Sequence, residues 1–185
     1  MEPNRVTTQN IVRACGFMLA VAAVIYGGIR VSHHYHANSS LIPATSRGRQ
    51  APNFALATPD GKIVHLSEYR GKALLLNFFG DTCEPCLEES PWLVEIKKRY
   101  GAKGLEIIGI EMYGASNDAI KSYAKQFGTN YVLVHGNEAI GNEYGIGSFP
   151  TSYFLSAKGT IVAATVGLHS QNEIEANVQA ELAAE

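Results

Sequence analysis

Chemistry in this chain starts from Cys83 and Cys86, separated only by Glu84 and Pro85 where an apolar run passes into a helical pattern. Two cysteines so spaced on a first helical turn can meet the distance limits of a disulfide. Peptide N–H groups left unpaired at a helix start carry partial positive charge, which favours a thiolate. The pair is therefore expected to close and reopen as a dithiol–disulfide centre. A zinc site would want two more ligands, and no second cysteine pair exists, so no metal is expected.

The elements around the pair are legible from their patterns. Residues 73–79, Ala-Leu-Leu-Leu-Asn-Phe-Phe, are almost wholly apolar and bounded by Gly71 and Gly80, which is how a strand buried on both faces reads. Beyond the cysteines, Leu93, Ile96 and Tyr100 recur at helical spacing. Lys97, Lys98 and Arg99 fill the last turn, and Gly101 is the expected stop. Upstream, Phe54-Ala-Leu-Ala and Lys62-Ile-Val-His-Leu flank Thr58-Pro-Asp-Gly, a hairpin signature. Downstream, residues 105–110 and 131–134 read as apolar strands. Ile120, Tyr123, Ala124 and Phe127 mark an amphipathic helix ending at Gly128, and residues 138–144 a short helix. Residues 151–156 and 160–166 flank Lys158-Gly159 as an antiparallel hairpin, and Ser170-Gln-Asn-Glu173 is a capping box opening a last helix. This order predicts an α/β domain with a central mixed sheet covered by helices on both faces.

With 185 residues and a net charge of −2, the chain has room for one ordinary domain plus an appendage and no electrostatic reason to bind nucleic acid. Residues 14–29 form a continuous apolar run between Arg13 and Arg30. With Val31 and the flanking arginines snorkelling, residues 14–31 approach the ~20 needed to span a bilayer. A cleaved signal peptide is the rival reading, although no good small-x-small cleavage site follows the run. Residues 32–50 are polar and aperiodic and read as a flexible linker, whose His33, His34 and His36 read as solvated rather than as ligands. The domain is expected to occupy residues 51–185, with residues 1–13 on the cytoplasmic side.

A strand, Cys-x-x-Cys at the next helix, and Ser148-Phe149-Pro150-Thr151 before a hairpin together resemble the thioredoxin fold. Within it, Ala51-Pro-Asn-Phe54, Asp60-Gly-Lys62, Tyr69-Arg-Gly-Lys72, Asn77-Phe-Phe-Gly80, Cys83-Glu-Pro-Cys86 and Glu89-Ser-Pro91 are similar to the membrane-anchored TlpA/ResA group of thiol-disulfide oxidoreductases. The resemblance implies that Cys83 is the nucleophile and Cys86 the resolving thiol. It implies that Glu89 assists proton movement; Asn77 stands where ordinary thioredoxins carry a buried aspartate, so the acid–base work falls to Glu89. Phe149-Pro150 is expected to be a cis peptide facing the cysteines, with the Phe149 backbone free to pair with substrate. Thr82 replaces the group's usual tryptophan and makes the substrate-binding spot before Cys83 smaller and more polar. Pro85 fits the first helical turn. Glu84 adds negative charge that opposes the thiolate, which favours an electron donor of roughly −250 mV or lower.

The function expected is reduction of disulfides in exported proteins by a tethered domain on the periplasmic or extracytoplasmic side. The redox-active Cys83–Cys86 pair takes the place of a cofactor, and a membrane electron-donor protein recharges it. The resemblance extends the substrates to the haem-binding cysteines of apocytochromes c. Two alternatives are a peroxidase of the peroxiredoxin type, which would need a Pro-x-x-x-Thr/Ser-x-x-Cys frame absent before Cys83, and a copper-handling module, which would favour Cys-x-x-x-Cys.

Overall fold

The computed structural model describes residues 47–184. In chain order the elements are β1 (Ala55–Ala57), β2 (Ile63–His65), β3 (Ala73–Phe79), α1 (Glu84–Tyr100), β4 (Leu105–Glu111), α2 (Asn117–Phe127), β5 (Val132–His135), α3 (Glu138–Glu143), β6 (Thr151–Leu155), β7 (Ile161–Val166) and α4 (Gln171–Leu182). Strands β1 and β2 form a separate antiparallel hairpin, and the central sheet runs β5-β4-β3-β6-β7. Strands β3, β4 and β5 are parallel, while β6 runs antiparallel to β3 and β7 antiparallel to β6. This is the mixed sheet that the element order predicts.

Every residue of β3 is buried, as its unbroken apolar run requires. Alternation divides the strand. Leu74, Leu76 and Phe78 join one core with Ile108, Ile110 and Tyr153, while Ala73 and Leu75 join a second with Leu93, Ile96, Phe154, Ile174 and Val178. Asn77, a polar residue in the middle of β3, is likewise buried. Phe79, at the carboxyl end of the strand, packs into a third cluster with Cys83, Cys86, Ile120, Tyr123 and Leu133. The cysteines therefore sit over the end of the central strand.

Helix α1 ends at Tyr100 with Gly101 as its C-cap, where the sequence places the stop, but Gly101 keeps a right-handed backbone; a 3-10 turn follows, and the left-handed glycine that ends it is Gly104, at φ 98°. One boundary differs from the sequence reading: the linker ends earlier than residue 50. Gly48 N–H donates to Ile161 O at 2.9 Å, Ile161 N–H to Arg49 O at 2.9 Å, and Gln50 bridges to Thr160, because the open edge of β7 offers partners to this segment. The segments read as anchor and signal peptide, and most of the linker, lie outside the described residues. Among the described residues no helix is long and apolar enough to cross a membrane.

Candidate active site

Cys83 occupies the N-cap position of α1, with Glu84 and Pro85 opening the helix. Proline is tolerated there because the first helical N–H groups have no partner within the helix. The Cys83 N–H donates to Gly80 O at 3.2 Å, and Cys83 O accepts from Leu87 N–H at 3.0 Å, which ties the cysteine to both the strand end and the helix. Cys83 and Cys86 are joined as a disulfide with their Cα atoms 5.2 Å apart. Cys83 is the more accessible, 9% exposed against 2% for Cys86. Thr82, Glu84 and Pro85 are all exposed around it.

Glu88 and Glu89 are adjacent in sequence and opposite in fate: Glu88 is exposed, Glu89 buried. Glu89 lies three residues beyond Cys86, so the two share a helix face. Its Oε2 accepts a 2.7 Å hydrogen bond from Asn77 Nδ2, which also donates to Ser152 Oγ at 3.0 Å. Ser152 is the cross-strand neighbour of Asn77 in the β3–β6 ladder. Burial penalises the charged form and raises the Glu89 carboxyl from 4.5 to about 7, with the Asn77 bond pulling the other way. A carboxyl poised there can give and take a proton near neutral pH. An ionised aspartate in place of Asn77 could only accept, and would set a second negative charge against Glu89.

A second polar chain runs alongside. Ser90 Oγ donates to Cys86 O at 2.8 Å and contacts the Tyr123 hydroxyl. The serine proton is committed to Cys86 O, so the phenol donates to the serine. Burial pushes Tyr123 up to about 12, so the phenol stays protonated at working pH. Tyr123 is held by Phe79, ring centroids 4.9 Å apart.

The loop before β6 supplies the opposite wall. Phe149–Pro150 is cis, as the sequence predicts, and Pro150 O accepts from Gly167 N–H at 2.7 Å. Phe149 is partly buried against the cluster that contains both cysteines. Sequence reasoning missed Tyr113, which stands edge-on to Phe149 with ring centroids 5.2 Å apart and is 53% exposed. Its only sequence signal was an aromatic just past a strand end. Ser152, Ser90, Tyr123 and the buried Glu111 were missed as well, because hydroxyls and carboxylates in apolar surroundings become informative only once their partners are known. His65, His135 and His169 are scattered, and among the described residues no cluster of metal-ligating side chains occurs.

Comparison with known proteins points to the same fold and redox class. The chain is 33% identical over 129 residues to the thiol-disulfide oxidoreductase ResA of Bacillus thuringiensis (strain Al Hakam), a match spanning 69% of this chain and 74% of that one. It is 32% identical over 130 residues to ResA of Bacillus subtilis (strain 168), spanning 70% and 72%. Among solved structures, a thiol:disulfide interchange protein of the thioredoxin family from Chlorobium tepidum TLS superposes with a TM-score of 0.67 at 28% identity, covering 74% of this chain and 97% of that one. Fold, relatives and the closed pair at a helix start define a thiol-disulfide oxidoreductase with a thioredoxin-like domain. The chain belongs to the AhpC/TSA family, whose model matches residues 47–164.

Proposed function

We propose that this chain is a membrane-tethered protein-disulfide reductase in which Cys83 attacks, Cys86 resolves and Glu89 manages the proton. The observation that carries the reading is the Cys83–Cys86 disulfide at the head of α1 with the Glu89 carboxyl buried on the same helix face. In the reduced protein the Cys83 thiolate attacks one sulfur of a substrate disulfide; the substrate S–S bond breaks, and a mixed disulfide forms as the other substrate sulfur leaves as thiolate. Cys86, deprotonated by Glu89, then attacks Cys83 sulfur. The Cys83–Cys86 bond closes, the second substrate sulfur is released, and two electrons have passed to the substrate.

Tyr123 and Ser90 hold the Cys86 carbonyl during these steps, and helix-end N–H groups favour the Cys83 thiolate. Thr82, Phe149 and Pro150 form the substrate-binding rim, while Glu84 and Pro85 tune the pair. No cofactor is needed beyond the dithiol. Regeneration calls for an outside reductant, and a membrane electron-donor protein suits a domain tethered by residues 14–31 and a linker on the periplasmic or extracytoplasmic side. The apolar run at 14–29 and the relatives' redox class support that placement. Exported proteins with accessible disulfides are the substrate class, and apocytochrome c haem-binding cysteines are the narrower expectation.

Full-length protein carrying Cys86→Ser, expressed in cells, should accumulate as mixed disulfides through Cys83 that dithiothreitol releases. Cys83→Ala should abolish both trapping and insulin reduction. Hydrogen-peroxide turnover by the Cys83→Ala protein at the wild-type rate, with insulin reduction intact, refutes the assignment.

A further inference from the structure

Thr82 leaves the rim without a large flat side chain before Cys83, yet the rim is not bare. Three large apolar side chains are strongly exposed among the described residues, and two of them border this site: Tyr113 at 53% and Leu168 at 40%. Tyr113 lies over Gly80. A Cβ on that glycine would stand 2.5–2.7 Å from three ring carbons, so only glycine lets the ring settle there. Gly80 O in turn accepts from Cys83 N–H, which puts the ring beside the nucleophile's own turn. Leu168 follows Gly167, whose N–H is bonded to Pro150 O.

The backbone that carries Tyr113 is also held in place. Buried Glu111 accepts from Tyr113 N–H at 2.6 Å through Oε1 and from Ala115 N–H at 2.9 Å through Oε2. Met112 N–H donates to Phe79 O at 2.9 Å. Phe149 packs against the ring edge. An aromatic ring on a hydrogen-bonded backbone, packed against Phe149 and over Gly80 and half open to solvent, loses little entropy when a partner covers it.

Charge on the chain segments that build this site has one sign. Asp81, Glu84 and Glu88 are at least partly exposed, and segments 80–90, 111–116, 145–150 and 166–168 contain no lysine or arginine. The open face of a phenol ring, at a site whose cysteine-bearing segment carries exposed carboxylates and no cation, attracts a cation by both its quadrupole and its surroundings. We propose that Tyr113 is the specificity-determining contact of this site, selecting extended partner segments whose disulfide cysteine is flanked by an apolar and a basic residue. The partner's apolar side chain lies on Leu168 and Phe149, and its lysine or arginine faces Tyr113 and the carboxylates. This rests on the dithiol reading above.

The test uses the full chain, recharged by dithiothreitol, with two disulfide-closed peptides that share one Cys-x-x-Cys core and one apolar flank, and differ in carrying lysine or glutamate next to it. Bis(2-hydroxyethyl) disulfide is the small reference substrate. The lysine peptide should be preferred about 10-fold in kcat/KM at low salt, and the preference should fade in about 1 M salt, where charges are screened beyond ~3 Å. Asp81→Asn with Glu88→Gln should reduce the preference to about twofold or less. Tyr113→Ala should lower kcat/KM on the lysine peptide about 10-fold relative to the small disulfide, through KM, and Tyr113→Phe should restore it. Equal rates on the two peptides, or equal loss by Tyr113→Ala on peptide and small disulfide, overturns the proposal. Failure of the wild type to reduce the small disulfide overturns the dithiol reading instead, and this proposal with it.

Discussion

Replacing Glu89 by glutamine removes a carboxyl whose ionisation the fold opposes, while Gln Oε1 still accepts from Asn77 Nδ2 in nearly the same volume. The displacement of the carboxyl from 4.5 to about 7 corresponds to roughly 3 kcal/mol against the charged form. Its sign follows from which state holds the proton. Below the ordinary value of 4.5 the group is protonated folded and unfolded, and folding carries no penalty. Between 4.5 and about 7 the unfolded chain ionises first, so stability falls as pH rises; above about 7 the penalty is complete. Glu89→Gln should therefore match the oxidised wild type in urea unfolding near pH ~4 and exceed it by up to roughly 3 kcal/mol near pH ~8. The same variant should lose about 10–100-fold in insulin reduction, because Cys86 then lacks its proton acceptor. It should also lose the inflection near pH 7 in the wild-type rate profile. A stability difference that stays constant between the two pH values, or a rate profile that keeps its inflection, refutes the reasoning.

Two further outcomes follow from neighbouring groups. Asn77→Asp places a carboxylate where an amide donates at 2.7 Å to Glu89, so the two acids titrate as a coupled pair and the upper inflection of the rate profile should move to higher pH, with stability lost chiefly above neutrality. An unshifted profile counts against the Asn77–Glu89 bond. Glu181 on α4 is buried with both carboxylate oxygens unpartnered among the described residues, and burial raises its carboxyl well above the ordinary value. Glu181→Met should stabilise the protein by about 1–3 kcal/mol at pH ~8 and by progressively less as pH falls toward ~4, read by urea unfolding; no gain at the higher pH would mean that the carboxylate is satisfied in solution.

Local chemistry explains what could be read in advance. The β3 run bounded by glycines gave its ends to the residue, and the Ser170–Glu173 capping box forms as its spacing predicts. Cys-Glu-Pro-Cys and Phe149-Pro150 were visible because strand, turn and helix start each leave a short signature. Glu89 could be singled out by its offset from Cys86, but not its burial: Glu88 has the same residue type and differs only in which way the helix turns it. Gly101 and Gly104 show the same limit, since composition alone does not say which glycine takes the left-handed backbone.

Sequence by itself determined that two sulfurs would sit at the head of a helix fed by a central strand, because hydrophobic periodicity and turn residues act over a few neighbours. Only the tertiary structure decided what surrounds them. Asn77 reaches Glu89 from another element 12 residues away, Ser152 joins from 75 away, and Tyr113 crosses Gly80 to meet Phe149. Such contacts depend on how sheet register and helix rotation bring distant positions together, and no local pattern encodes them.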